Sequence, residues 1–407
     1  MNHRILFDDI SIQPPRQIGT PPGTILCAVL TGVFASYFIW FLFVTLTRGT
    51  PYPFGDFVAL WSYAKITLSH SAALLYDFAG LHAAQVALGM NPTRNAPFPY
   101  PPQVVLMLIP LGLFSYNTAL IVWLAGTFML YAAAMLIGPR LAPALALATL
   151  LAPTTTITIV SGQSGFLTAA LLIGGLRLVD RHPILSGVLF GLLTYKPQFG
   201  ILVPFALIAA GQWRCIASAC ATAAVLVIIT SAVLGWTIWL SWIEALPVYQ
   251  EWFSQQAVGS TFTTTVLANM QTLGAPAMVA QLAQGSTAVL AVFTVWTCFC
   301  RGPRDLAIPL LLVCTCLATP HAIVYDLPML TSAAVLFIAI RLKSGVIFTT
   351  FEYAVLILVL VFPAVMVNSR TQVPISAMVM ILFLVILLQY RRYNVQSLTI
   401  VACIKYI

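Results

Sequence analysis

Apolar runs recur along the chain with short polar stretches between them. They predict helical spans near residues 24–47, 117–137, 141–160, 165–179, 183–195, 197–211, 214–236, 276–299, 305–319, 324–341, 346–366 and 374–390. Several, such as 183–195, fall short of the roughly 20 residues that a straight span needs. Short or broken helices are expected where a bundle opens around a cavity. The first run, Thr24 to Leu46, has no small-residue cleavage pattern after it and reads as an uncleaved first helix.

The segment "YPPQVVLMLIPLGLF" (Tyr100–Phe114) is apolar but short and broken by proline. It reads as a re-entrant or interfacial hairpin on the outer side, which leaves twelve spans. Residues 48–116 then form the longest extramembrane loop. From Asp56 onward that loop has amphipathic spacing: Phe57, Trp61, Ala64 and Leu68 share one face, and Ser62, Lys65 and Ser69 another. The expectation is a helix lying flat on the membrane surface. A second outer loop, Thr237 to about Gly274, holds Glu244, Glu251 and several tryptophans.

Composition agrees. Of 407 residues, 60% are hydrophobic and 7% charged, against roughly 25% charged in soluble domains. This is the composition of an all-α, multi-pass membrane protein, expected as one helical domain over residues 1–407. The net charge of +8 does not indicate a nucleic-acid partner, because the cations are spread singly between apolar runs. Cytoplasmic loops carry the excess of Lys and Arg. With the N-terminus in the cytoplasm, thirteen of the eighteen fall inside, among them Arg4, Arg16, Arg140, Arg341 and Lys405. The five left outside are Arg48, Lys65, Arg94, Lys196 and Arg370. Residues 1–23 and 391–407 are thus expected to be cytoplasmic, in a cell membrane that is bacterial and inner. Cys-x-Cys occurs at 298–300 and 314–316, but no histidine or acid shares those runs, so packing is the expected role.

Ionisable residues in or beside spans are costly, and each is a candidate for function. Asp56 follows Gly55 where the chain leaves the first span. It can cap the next helix, act as a general base toward an outer cavity, or both. "FPYPP" (Phe98–Pro102) is a rigid aromatic turn, and "SGQSG" (Ser161–Gly165) offers Gln163 to orient a hydroxyl or phosphate oxygen. "TYKPQ" (Thr194–Gln198) puts Lys196 on the outer side, either as a snorkelling lysine or as the partner of a lipid phosphate. In "TPHAIVYD" (Thr319–Asp326), His321 could donate to phosphate, and Asp326 could hold His321 or a cation. A turn with helix capping is the plainer alternative there.

Taken in order, the Asp after the first span, "LYD" (Leu75–Asp77), "FPYPP", "GQSG", "YKPQ" and "TPHAIVYDL" resemble the glycosyltransferase 87 family over about residues 50–330. That family includes polyprenol-phosphate-mannose-dependent α-(1→2)-mannosyltransferases. The resemblance implies a GT-C membrane fold and transfer of a hexose, with mannose the first candidate, from a polyprenyl-phosphate donor to a glycolipid or glycan acceptor at the outer face, and it identifies neither the sugar nor the acceptor. It places the catalytic base at Asp56 and the donor phosphate at Lys196 and His321, to which Arg94 is added as a nearby cation. Tyr76, Tyr100, Gln163, Gln198, Tyr325 and Asp326 are the expected substrate-binding residues. Ser164 stands where many members have Asn. No cofactor is expected, since a lipid monophosphate offers no pyrophosphate clamp and the outer acids lack metal-ligand spacing. The alternative is a lipid or sugar transporter or flippase, although transporters often show two related halves and none is evident here.

Overall fold

The computed structural model describes residues 21–47, 55–136, 143–257, 260, 262–301, 304–344, 348–369 and 373–405. Arg4, Arg16, Arg48, Arg140 and Arg370 of the charge tally lie outside them, as does the N-terminal segment up to residue 20. The chain runs α1 (Pro21–Leu46), α2 (Phe57–Ser69), α3 (Phe78–Ala87), α4 (Gln103–Gly112), α5 (Tyr116–Leu136), α6 (Pro143–Leu151) and α7 (Pro153–Ser161). It continues through α8 (Gly165–Leu178), α9 (Pro183–Leu192), α10 (Pro197–Gly200), α11 (Val203–Ala209), α12 (Trp213–Leu234), α13 (Ile238–Ala257) and α14 (Val266–Thr272). Last come α15 (Ala277–Arg301), α16 (Arg304–Ala318), α17 (Pro328–Ser344), α18 (Thr350–Asn368) and α19 (Ser376–Lys405). Among the described residues, extended pairing is confined to one antiparallel bridge, Thr263 with Ile323.

Among the described residues, each expected span is mostly helical. Four described helices, α5, α12, α15 and α18, are long and apolar enough to cross a membrane. Several others are shorter for a visible reason. The 141–160 run breaks at Ala152, whose extended ψ of 150° admits Pro153 as the first residue of α7. The run after residue 183 is interrupted by Pro197, which opens α10. A helix of 14 residues such as α8 is about 21 Å long, less than the roughly 30 Å of a hydrocarbon core. The ten residues of α4 reach about half that depth, in keeping with the expected hairpin.

The core is built around α8, α16 and α17. Phe166 on α8 stacks on Tyr131 of α5 at 5.5 Å, and the Tyr131 hydroxyl meets Ser332 of α17 at 2.8 Å. Thr154 on α7 meets Thr331 of α17 at 2.8 Å. In hydrocarbon, packing and interhelical hydrogen bonds replace the hydrophobic drive between helices. The same rule joins α9 to α12. A Cβ on Gly187 would lie 2.4 Å from the Cys215 carbonyl, and one on Gly191 2.4 Å from Thr222 Cβ, so the two backbones meet where side chains are missing.

Two expectations are corrected. The helix after Asp56 does not lie flat on a surface: Phe57 to Ala64 and Ile66 are all buried, and Leu68 of the supposed apolar face is exposed. Ser62, placed on the polar face, is fully buried and accepts from Gln85 Nε2 at 3.1 Å. Ser62 is thus satisfied by protein rather than by water, while Ser69 at the end of the helix is exposed. The second correction concerns the supposed outer loop from Thr237 to about Gly274, which is largely helical, as α13 and α14.

Candidate functional site

Four linking segments meet at one end of the bundle. The Asp56 backbone N–H donates to the Ser161 carbonyl at 2.8 Å, tying the start of α2 to the end of α7. Gly162 closes α7 with φ 67°, the left-handed cap that favours glycine. A Cβ there would sit 2.4 Å from Phe57 Cβ. Gly165 lies against the third segment, where a Cβ would come within 1.9 Å of the Tyr325 carbonyl oxygen. That carbonyl also accepts from Thr158 Oγ1 at 2.9 Å. "SGQSG" is therefore the hinge on which "GDF" (Gly55–Phe57) and "HAIVYD" both rest.

The "HAIVYD" loop is fixed from its other side by residues 262–264. Val324 N–H donates to the Phe262 carbonyl at 2.8 Å, and Thr264 N–H to the Ala322 carbonyl at 3.1 Å. "FPYPP" is held by phenols: Tyr63 donates to the Pro97 carbonyl at 2.7 Å and Tyr76 to the Tyr100 carbonyl at 2.8 Å.

Asp56 stands at the N-cap of α2, yet its carboxylate makes no capping bond. It pairs instead with the Arg94 guanidinium and accepts from Gln163. Asp77 behaves in the opposite way, accepting from Ala79 and Gly80 N–H at 3.2 and 3.1 Å as the cap of α3. Enclosure by protein pushes the Asp56 carboxyl above its ordinary range, and Arg94 and Gln163 draw it part of the way back. The side chain keeps 39% of its surface exposed, so the enclosure is a recess open on one side. Gln163 Oε1 is buried with no partner among the described residues.

Lys196 and Asp326 form a second cluster. Lys196 Nζ donates to Asp326 Oδ1 at 2.7 Å, and each side chain is only 5% exposed. Asp326 Oδ2 also accepts from Ile323 N–H at 3.2 Å. Of the two roles open to Asp326, the structure selects holding a cation. The ammonium sits 5.4 Å from the centre of the Tyr325 ring and 5.6 Å from that of Phe199. His321 packs edge-on against Phe253 at 4.5 Å, and its Nδ1 is buried with no partner among the described residues. Burial lowers its pKa, which keeps the ring neutral near pH 7.

Tyr100, Lys196, Gln198, His321, Tyr325 and Asp326 line one cavity of about 270 Å³. Asp56, Arg94 and Gln163 do not line it. Tyr325 belongs to the second cluster through its ring, which faces Lys196, and to the first through its carbonyl, which accepts from Thr158 at the end of α7. Tyr76 stands behind the cavity wall, bonded to the Tyr100 carbonyl.

The remaining wall belongs to α13, through Trp242, Leu246, Tyr249, Gln250 and Phe253. Sequence reasoning missed all five. Their spacing carried the signal: they fall on one face at helical intervals.

Apolar helices packed around a part-enclosed cavity, four of the described ones long enough to cross a membrane, mark a membrane protein. Residues 98–320 match the model of glycosyltransferase family 87. That is more than half of the chain, which belongs to this family and is a membrane glycosyltransferase rather than a transporter. No curated protein and no solved structure matches it. The matched region takes in "FPYPP", "SGQSG" and Lys196, while Asp56, Arg94, His321 and Asp326 fall outside it.

Proposed function

We propose that the chain is a GT-C-type enzyme, one domain of about twelve transmembrane helices with both termini in the cytoplasm of a bacterial inner membrane. It moves a hexose, with mannose the leading candidate, from a polyprenyl monophosphate to a hydroxyl of a glycolipid or glycan at the extracytoplasmic face. Asp56 removes the proton of that hydroxyl. The oxygen bonds to the anomeric carbon from the side opposite the phosphate. The bond to the phosphate oxygen breaks, its electron pair leaves with the lipid phosphate, and the configuration inverts. Lys196 and His321, the latter as a neutral donor, stabilise the charge that develops on the departing phosphate; Arg94, expected there too, is paired with Asp56 outside the cavity that those two line. Gln163 and Arg94 orient the base. Tyr76, Tyr100, Gln198, Tyr325 and Asp326 shape or support the pocket.

The observation that carries this reading is the state of the Asp56 carboxylate. It stands where a helix cap would use it, makes no cap, and is instead half-exposed beside a guanidinium and an amide. A carboxylate raised by enclosure is a stronger base than a solvated one.

The test supplies radiolabelled polyprenyl-phosphate hexoses to membranes with and without the chain and follows label into the acceptor fraction. Transfer that depends on the chain, with an inverted anomeric linkage by NMR, is expected. No transfer above the control from any polyprenyl-phosphate hexose, or a retained linkage, contradicts the proposal.

A further inference from the structure

The wall that the sequence motifs do not supply carries its own chemistry. On α13, the cavity-lining positions present three flat rings, Trp242, Tyr249 and Phe253, and one amide, Gln250. Leu240, Ile243, Glu244, Val248 and Glu251 of the same helix are exposed and none of them lines the cavity, so both acids of α13 lie away from it. None of the α13 lining residues is charged. Across the cavity, Lys196 and Asp326 neutralise each other at 2.7 Å.

Two lining residues hold buried polar atoms that have no partner among the described residues: Nε1 of Trp242 on α13 and Nδ1 of His321 opposite. An unmatched buried polar group is costly and in native proteins has a reason. Two such groups at one cavity, among aromatic rings and sharing it with the Lys196 ammonium proposed for the phosphate, suit a ligand part with neutral donors and acceptors and with flat C–H faces. A pyranose ring has both. The volume of about 270 Å³ lies at the small end of ligand pockets, which begin near 300 Å³. It suits one ring better than a chain of them.

The geometry points to α13 as the sugar-recognising wall of the site, with Trp242, Tyr249 and Gln250 as specificity-determining residues that take the ring's hydroxyls and C–H face. This rests on the proposal that the site accepts a glycosyl group, and it adds the residues that select which one.

The test uses the full chain in detergent micelles with two probes that differ only at C2, methyl α-mannopyranoside and methyl α-glucopyranoside. Binding is read by saturation-transfer difference NMR. Turnover is read as the ratio of kcat/KM for polyprenyl-phosphate mannose over polyprenyl-phosphate glucose. Trp242→Phe keeps a ring and removes the N–H. Gln250→Leu keeps bulk and removes the amide. One lost hydrogen bond corresponds to about a tenfold loss of affinity. Each variant is expected to bind the preferred epimer about tenfold more weakly and to narrow the epimer ratio, with its unfolding temperature near wild type. A general structural defect would lower both epimers alike and leave the ratio unmoved.

Unchanged binding and ratio in both variants overturns the inference, as does absence of binding of either probe to the wild type. If the wild type binds the probes through α13 but transfers neither hexose, the recognition wall stands and the donor proposal fails. If it transfers hexose with a ratio that Trp242→Phe and Gln250→Leu leave untouched, the donor proposal stands and the wall fails.

Discussion

Lys196 Nζ and Asp326 Oδ1 meet at 2.7 Å although 130 residues separate them in the chain, and both side chains are almost fully buried. The pair joins the loop before α10 to the loop before α17, and so closes one side of the cavity. Removing one member of such a pair leaves an uncompensated buried charge, which typically costs about 3–5 kcal/mol. Replacing both with apolar residues is often close to neutral. Lys196→Met and Asp326→Asn should each lower the unfolding temperature in detergent clearly. Lys196→Met combined with Asp326→Leu should recover most of the loss, short of the bond to Ile323 N–H. Neither variant that lacks Lys196 should transfer sugar, because Lys196 is the proposed partner of the phosphate. A stable, active double variant would remove Lys196 from the site.

The pH profile should report Asp56. Its carboxyl sits above the ordinary range because of enclosure, and Arg94 is the largest influence that lowers it. Transfer requires the ionised form, so activity should rise with pH through a pKa higher than that of a solvated aspartate. Arg94→Gln removes the positive charge that favours the carboxylate, so the acidic limb of kcat/KM should move to higher pH. Arg94→Lys keeps the charge and should leave the limb nearer its wild-type place. A limb that does not move in Arg94→Gln would show that another group titrates.

The glycines of "SGQSG" should be unequal to glycines elsewhere. A Cβ on Gly165 would press on the Tyr325 carbonyl, a backbone atom that cannot swing aside. Gly165→Ala should cost about 1–3 kcal/mol of stability and shift the Tyr325–Asp326 loop, with a loss of transfer. Gly126 on α5 has open space where its Cβ would go, and Gly126→Ala should leave stability within about 0.5 kcal/mol. Equal effects at the two positions would contradict the packing described for the hinge.

Much of this site could be read from sequence because of its background. In a chain with so few charges, Asp56, Lys196, His321 and Asp326 stand out at the ends of apolar runs, and the fold brings their segments together at one end. Their partners were harder to foresee. The choice of Lys196 rather than His321 as the partner of Asp326 depends on how two distant loops meet, which no local pattern encodes. The capping role open to Asp56 on α2 goes unused, because Arg94 and Gln163 hold the Asp56 carboxylate. The burial of α2 was misjudged because its polar residue Ser62 finds a protein partner in Gln85. The α13 wall was missed because residues 237–274 read only as an outer loop with Glu244, Glu251 and several tryptophans. The face carrying Trp242, Tyr249 and Phe253 was visible all the same to a 3.6-residue period.

The account depends most on Asp56 as the base that activates the acceptor. Its most direct test is single-turnover transfer of radiolabelled hexose from the polyprenyl-phosphate donor by purified wild type, Asp56→Asn and Asp56→Glu, with unfolding temperature and donor binding measured on the same samples. Asp56→Asn is nearly isosteric and cannot accept the proton. Loss of general-base catalysis is typically about 10²–10⁴-fold. The account predicts that Asp56→Asn folds and binds donor but loses transfer by that order, with partial recovery in Asp56→Glu. Transfer by Asp56→Asn at the wild-type rate would contradict it.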